Sequence, residues 1–303
     1  MIDAIACGSG KIVDSVLDKG ASFAIDLKVR VRVEITEGKE LTGDVDPLVE
    51  EIARDTLNLF GYDYGLKIEV ESEIPPSAGL GNPEAVSAAT VTAVAGALAK
   101  KHGSVNELRI DKYMKEQFLI INNKVVDKKK LIDLCVKPGL EFDRVSASFY
   151  GGFIVSNNRR GEILRRGEME NLSVVLLTLK KEEGIDPDEL RLFSNELEIM
   201  WDEALKGNLY TAMKLNTLLY KNSVVKEMLK AGSLTASVSF PSVIALVRDE
   251  DRIRGVEESV RNKGVVRVTK VCNEKARILG KSKRIFKIKE FLKLKGGDEF
   301  QLL

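Results

Sequence analysis

The sequence predicts an α+β protein of two domains. The runs Leu27–Ile35 and Leu66–Ser72 alternate apolar with charged residues, the period-two signature of half-exposed antiparallel strands. Between them Leu48, Ile52, Leu57 and Phe60 recur at helical spacing. Beyond residue 172 the order reads strand, helix, helix, strand, helix, strand, which suits helices on one face of an antiparallel sheet. With 303 residues the chain can build two ordinary cores. Asn157-Asn-Arg-Arg-Gly161 has hairpin-turn chemistry, and the expected domains are 1–160 and 161–303.

Taken in order, Ile2–Ala6 reads as a short apolar strand and Gly8-Ser9-Gly10 as a turn, with Lys11–Leu17 a short helix or strand. Lys19–Asp26 leads into the first alternating strand. Thr42–Pro47 has turn and cap chemistry, and Gly61 ends the Leu48–Phe60 helix. The small-residue run Ala85–Lys101 reads as a helix able to pack closely against a neighbour. Asn106–Phe118 and Asn123–Cys135 read as further helices, Lys137-Pro138-Gly139 as a breaker, and Phe153–Ser156 as a strand. In the second half the strands are Leu172–Thr178, Ser242–Val247 and Val265–Val271. Helices are expected over Pro187–Leu205, Asn208–Leu219 and Glu250–Lys263, and a small-residue loop over Ala231–Pro241.

Lys and Arg number 47 against 46 Asp and Glu, so no net field attracts nucleic acid or acidic lipid. The basic run Lys281–Lys289 is local and reads as a solvated face. Cys7, Cys135 and Cys272 have neither metal-site spacing nor a disulfide framework, which suggests a reducing cytoplasm. His102 is the only histidine, which argues against a Ser–His triad or a histidine-rich metal site. The N-terminus lacks signal-peptide character, and no apolar run is long enough to span a bilayer. The expected partners are therefore small molecules, with no nucleic acid and no membrane, and a homo-oligomer is left open.

Chemistry is expected where small residues, glycines and polar groups meet element boundaries. Pro76-Ser77-Ala78-Gly79-Leu80-Gly81-Asn82-Pro83-Glu84-Ala85 joins a strand to a helix N-terminus. Gly79 and Gly81 let the backbone approach a ligand, and the first helical turn offers free N–H groups and a favourable dipole to an anion. An ordinary glycine-assisted turn has the same signature. Asp143 lies among small and apolar residues ending in Gly151-Gly152. Burial would raise its carboxyl pKa, whereas pairing with Arg144 or a lysine would lower it. Either arrangement suits orienting or deprotonating a hydroxyl, and Asp143 could also cap a helix over Val145–Tyr150.

The order and spacing of these segments resembles the GHMP small-molecule kinases, and among them the archaeal-type shikimate kinases. Gly8-Ser-Gly10 with Lys19–Leu27, Ile74–Gly81, Phe142-Asp143 with Ala147–Gly152, Ala212–Tyr220 and Val268–Glu274 carry the likeness. The resemblance implies an N-terminal domain like ribosomal protein S5 domain 2, a ferredoxin-like C-terminal domain and a site between them. It also implies phosphoryl transfer from ATP, with Mg²⁺, to a hydroxyl of shikimate, which rests on positioning and charge stabilisation. Asp143 would be the catalytic group, residues 76–85 the ATP-phosphate loop, and Lys19 and Asp26 the substrate-binding candidates.

The chain departs from that family pattern twice. Asn82-Pro83-Glu84 stands where the family carries serines, so a hydroxyl for Mg²⁺ or phosphate is missing. Glu84 could supply an oxygen ligand to Mg²⁺ instead, or simply repel ATP. Ser237-Val-Ser-Phe-Pro241 stands where the family carries a glycine-rich loop. Two other readings therefore stay open: a GHMP kinase for another small alcohol such as homoserine or mevalonate, and a catalytically impaired homologue with a binding role.

Overall fold

A computed structural model describes residues 1–15, 18–110, 115–179, 187–220 and 223–279. The chain begins with two long antiparallel strands, β1 (Ile2–Val13) and β2 (Lys19–Thr36). Gly8-Ser9-Gly10 lies within β1 and is not the expected turn. The glycines serve close approach: a Cβ on Gly8 would stand 2.8 Å from the Leu80 carbonyl oxygen, and one on Gly10 2.4 Å from Ile244. After β3 (Leu41–Gly43), helix α1 (Pro47–Phe60) is capped by Asp46, whose carboxylate accepts the Val49 N–H at 2.8 Å, and closed by left-handed Gly61. Strand β4 (Gly65–Ser72) then delivers the chain to the glycine loop.

Helix α2 (Asn82–His102) starts three residues earlier than the spacing predicts. Pro83 fits its first turn, where a backbone N–H is not needed. Almost every residue from Glu84 to Leu98 is buried, and the alanines let strands and helices close in from several sides. His102 at its end stacks on Tyr62, with ring centroids 4.2 Å apart.

The expected helix at 106–118 is instead the pair β5 (Val105–Ile110) and β6 (Lys115–Ile121). The expected helix at 123–135 divides into β7 (Lys124–Asp127) and α3 (Lys128–Cys135). Asn122 and Asn123, with φ of 49° and 59°, form the two-residue turn between β6 and β7, so hairpin pairing overrides helix propensity. Helix α4 (Phe142–Tyr150) carries Asp143 inside its first turn, with Glu141 at the cap position. Strands β8 (Phe153–Asn157) and β9 (Glu162–Gly167) form the expected hairpin.

The second half opens with β10 (Ser173–Leu179), and the expected Pro187–Leu205 helix is split into α5 (Pro187–Arg191) and α6 (Ser194–Lys206). Helix α7 (Leu209–Leu219) is followed by the unforeseen α8 (Ser223–Lys230). The expected small-residue loop contains the buried strand β11 (Thr235–Ser239), paired with β12 (Ser242–Val247). Its serine hydroxyls satisfy backbone groups of the site, which compensates for weak strand propensity. Helix α9 (Glu250–Val260), β13 (Gly264–Lys270) and β14 (Arg277–Leu279) complete the described chain. The basic run 281–289 lies outside the described residues.

Three sheets result. In the first, β14-β1-β2-β4-β3 run side by side, with β8 on the other half of β2 and β9 beyond it. It thus takes β9 and β14 from beyond residue 160. The order β11-β12-β10-β13 of the second sheet, all antiparallel, with helices between β10 and β11 and between β12 and β13, is the ferredoxin-like β-α-β-β-α-β arrangement. The third sheet is β5-β6-β7. None of the described helices is long and apolar enough to cross a membrane.

Cys7 and Cys272 form a disulfide, which their spacing of 265 residues did not suggest. The Ile25–Val271 bridge brings the end of β13 against β2, beside β1, so tertiary structure and not local spacing makes the pair. Cys135 is free and buried.

Candidate active site

The site forms where the β1–β2 ribbon, the N-termini of α2 and α4, and the β11–β12 turn converge. Asp143 is fully buried. Its Oδ2 lies 2.9 Å from Lys11 Nζ and also accepts the Ser22 hydroxyl, while its Oδ1 accepts Asn158 Nδ2 at 2.8 Å and Ser15 Oγ at 3.1 Å. Burial alone would push this carboxyl up. The Lys11 ammonium, with hydrogen bonds from Ser22, Lys11 and Asn158, outweighs burial and holds it below the usual carboxylate range. Lys11 is buried too, and burial favours its neutral form. Asp143 at 2.9 Å and Glu141 at 2.8 Å reverse that and keep it charged. Asp143 is therefore an ionised acceptor in a nearly dry pocket. A Cβ on Gly20 would stand 2.6 Å from the Asp143 carboxyl carbon, so β2 can pass there only with glycine.

The glycine loop shows its carbonyls to the protein. Ala78 O accepts Ser242 Oγ at 2.6 Å, Gly79 O accepts Arg144 Nη1 at 2.8 Å and Ser239 Oγ at 2.7 Å, and Leu80 O accepts the Ser9 N–H at 2.9 Å. In a trans peptide the N–H points opposite to the C=O. The N–H groups of Gly79, Leu80 and Gly81 are thereby turned away from those donors. Ser77, Gly79 and Gly81 have φ of 55°, 67° and 70°, so every second residue is left-handed, the alternation that builds an anion-binding concavity. The α2 N-terminus adds its dipole at the same place. Backbone packing requires Gly79, where a Cβ would stand 1.9 Å from Phe240 O.

The other expected residues are distributed as follows. Pro76 and Ser77 are exposed at the loop tip, whereas Ala78, Leu80 and Ala85 anchor it in the core. Asn82 Oδ1 accepts the Ser72 hydroxyl at 2.6 Å, which ties the helix start to β4. Pro83 is exposed in the first turn of α2. Glu84 is buried, with Arg144, Glu141 and Lys11 as its charged neighbours. Burial raises its carboxyl pKa, and Arg144 only partly offsets this. Lys19 precedes Gly20 in β2 and, by strand alternation, points to the face opposite Asp143, where it stands 3.0 Å from Glu198 and above the Trp201 ring. Asp26 is not brought to Asp143: it is four residues beyond Ser22, ~13 Å along the strand, and pairs with Lys28 at 3.0 Å.

Sequence reasoning missed Lys11, Ser15, Ser22, Glu141 and Asn158. Lys11 and Ser22 face each other in the β1–β2 register, yet only the pairing of a charge with a small hydroxyl in two apolar strands hinted at them. Asn158 was visible only as a turn residue.

An ionised buried aspartate and a loop shaped to receive an anion thus meet on neighbouring helix N-termini, between an antiparallel ribbon and a ferredoxin-like sheet. Comparison with known proteins shows the family. Residues 47–152 match the family model for the GHMP kinases N-terminal domain. The chain is 31% identical over 293 residues to a shikimate kinase of Methanocella arvoryzae, covering 90% of this chain and 95% of that protein. It is 28% identical over 292 residues to the shikimate kinase of Methanothermobacter thermautotrophicus, covering 90% and 96%. In fold it is similar to Methanococcus jannaschii mevalonate kinase (TM-score 0.63, 15% identity, covering 92% and 98%). It is also similar to a homoserine kinase from Cytophaga hutchinsonii (TM-score 0.62, 17% identity, covering 92% and 97%). The chain belongs to the GHMP kinase family, whose members take ATP as phosphoryl donor.

Proposed function

We propose that the protein phosphorylates shikimate, using Mg-ATP. The observation that carries this reading is the buried Lys11–Asp143 pair on the helix turn whose next residue, Arg144, binds the glycine loop at Gly79 O, and the substrate choice rests on likeness to shikimate kinases over nine-tenths of the chain. The loop N–H groups and the α2 dipole bind the phosphates without a side-chain hydroxyl. Asp143, held ionised, accepts the hydrogen bond of the attacking hydroxyl and aligns its oxygen. A loose phosphoryl-transfer transition state demands little proton abstraction early on, so a weakly basic carboxylate suffices. Lys11 offsets the charge gathering around the transferred group.

Both Asp143 oxygens already accept two hydrogen bonds each. A substrate hydroxyl therefore replaces one donor, and half-buried Ser15, the longest of them at 3.1 Å, is the one to yield.

The carboxylates of Glu84 and Glu141 are hard oxygen donors of the kind Mg²⁺ takes, and Glu84 is buried with its charge under-compensated. These residues fit the ion, which would neutralise phosphate charge when bound. Glu84→Ser discriminates between roles. A metal-holding Glu84 predicts lower turnover and weaker Mg²⁺ dependence in that variant, whereas a merely repulsive one predicts tighter ATP binding. A coupled assay with shikimate, homoserine and mevalonate as acceptors tests the substrate. Turnover with shikimate above the others is expected, and a preference for another alcohol would overturn the assignment.

A further inference from the structure

A cavity of about 250 Å³ lies between the middle of α2, the β6–β7 hairpin, the last turn of α4 and β14. It is separate from the glycine loop. Ala95 and Ala99 in its wall are 11 and 15 residues along α2 from Glu84, ~16–22 Å at 1.5 Å per residue. Its lining is mostly apolar, with the rings of Phe118 and Phe149 among it, and among the described residues one cation, Lys128. The Lys128 ammonium stands 5.0 Å from the Phe149 ring centre and 4.2 Å from that of Tyr150, and the Arg166 guanidinium lies 4.3 Å from the same Tyr150 ring.

The charged groups that act on Lys128 are Lys275 and Arg166, both cations, and with burial they depress its pKa to about 8. Asp127, the adjacent carboxylate, is occupied in capping α3, accepting the Lys130 N–H at 2.7 Å. The one cation of the described lining thus has two further cations, Arg166 and Lys275, as its charged neighbours. Aromatic faces compensate a cation only in part, and a partly dehydrated ammonium among like charges gains most from an anion.

We infer that this cavity is a second ligand site, taking a small carboxylate with an aromatic body: the ring fills the space between α2 and Phe149, and the carboxylate pairs with Lys128 at the mouth. Both helices that carry the kinase site, α2 and α4, also wall this cavity, so a ligand here touches the far ends of the elements that hold Glu84 and Asp143.

The test is direct binding, independent of turnover. Titrate the full chain with 3-phenylpropionate by calorimetry and ligand-observed NMR, with 3-phenylpropanamide as the uncharged control. Saturable binding of the acid is expected, with the amide and the variant Lys128→Met each weakening it about tenfold or more, the loss of one charge-assisted hydrogen bond. The second variant, Ala99→Leu, fills the cavity and should abolish binding while Lys128 stays in place. Saturating Mg-ATP should leave the affinity within about twofold. The proposal is overturned by absence of saturable binding to the wild-type chain, by equal binding to folded Lys128→Met, or by displacement with Mg-ATP.

Discussion

At the scale of single residues, the Lys11–Asp143 pair bears on stability directly and, in the proposed function, on the chemistry. Two opposite charges share a site from which water is nearly excluded, with side-chain exposures of 3% and 0%. Removing one partner strands the other, at a cost of ~3–5 kcal/mol. Asp143→Asn should therefore lower Tm as well as turnover, and Lys11→Met should do likewise, both read by thermal melts beside the coupled assay. Because the folded-state pKa of Asp143 is depressed, its stabilisation is fully present above the unfolded value of about 4 and is lost as pH falls toward the folded value. Glu84 has the opposite sign. Burial raises its pKa, so its ionised form costs stability at neutral pH. Glu84→Gln should then raise Tm at pH 7, a gain that shrinks as pH falls from the raised folded value toward the unfolded value of about 4 and is gone below it, while Mg²⁺-dependent ATP binding weakens. A variant that melts lower at pH 7 would remove the claim that Glu84 is held at a cost to the fold.

Between residues and fold stands the glycine loop, a segment positioned by another segment. Arg144 and Ser239 both bind Gly79 O, and Ser242 binds Ala78 O. The β11–β12 turn, read from sequence as a degraded glycine-rich motif, thus works as the clamp that turns the loop N–H groups outward. Gly79→Ala would meet Phe240 O at 1.9 Å in a left-handed backbone, so the loop must move. KM for ATP should rise at least tenfold, with a smaller change in KM for the acceptor. Equal changes in both would indicate general unfolding. Arg144→Met should act in the same direction, since two of its hydrogen bonds hold the loop and its neighbour. The loop and Asp143 were legible in the sequence because glycines and an isolated acidic residue break the surrounding pattern. Lys11 and Ser22 were not, since their meeting depends on a strand register with an irregularity between Cys7 and Gly8. The strands at 105–121 were missed because their residues favour helix locally, and only the Asn122-Asn123 turn betrayed the hairpin.

Over the whole molecule, two architectures contribute to one site: the first sheet supplies Lys11 and Ser22 and its β8–β9 turn Asn158, and the ferredoxin-like sheet supplies Ser237, Ser239 and Ser242. Ser237 Oγ donates to Lys11 O at 2.6 Å, so the strand that carries Lys11 is itself held from the second half. The Cys7–Cys272 disulfide crosses the same boundary. A cross-link closing so long a loop contributes ~2–4 kcal/mol, and reduction with dithiothreitol should lower Tm by several degrees. An unchanged melt would show that the cross-link adds nothing. The two-domain α+β frame was legible from periodicity and element order, whereas the sharing of β9 and β14 with the first sheet was not, because long-range pairing leaves no local signal. The most direct test of the whole reading is the steady-state rate with shikimate, ATP and Mg²⁺, measured for the wild-type chain and Asp143→Asn side by side. The wild type should turn over and the variant should lose ~10²–10⁴-fold in kcat; a variant that remains folded and as fast as the wild type, or a wild type inert toward shikimate, would contradict it.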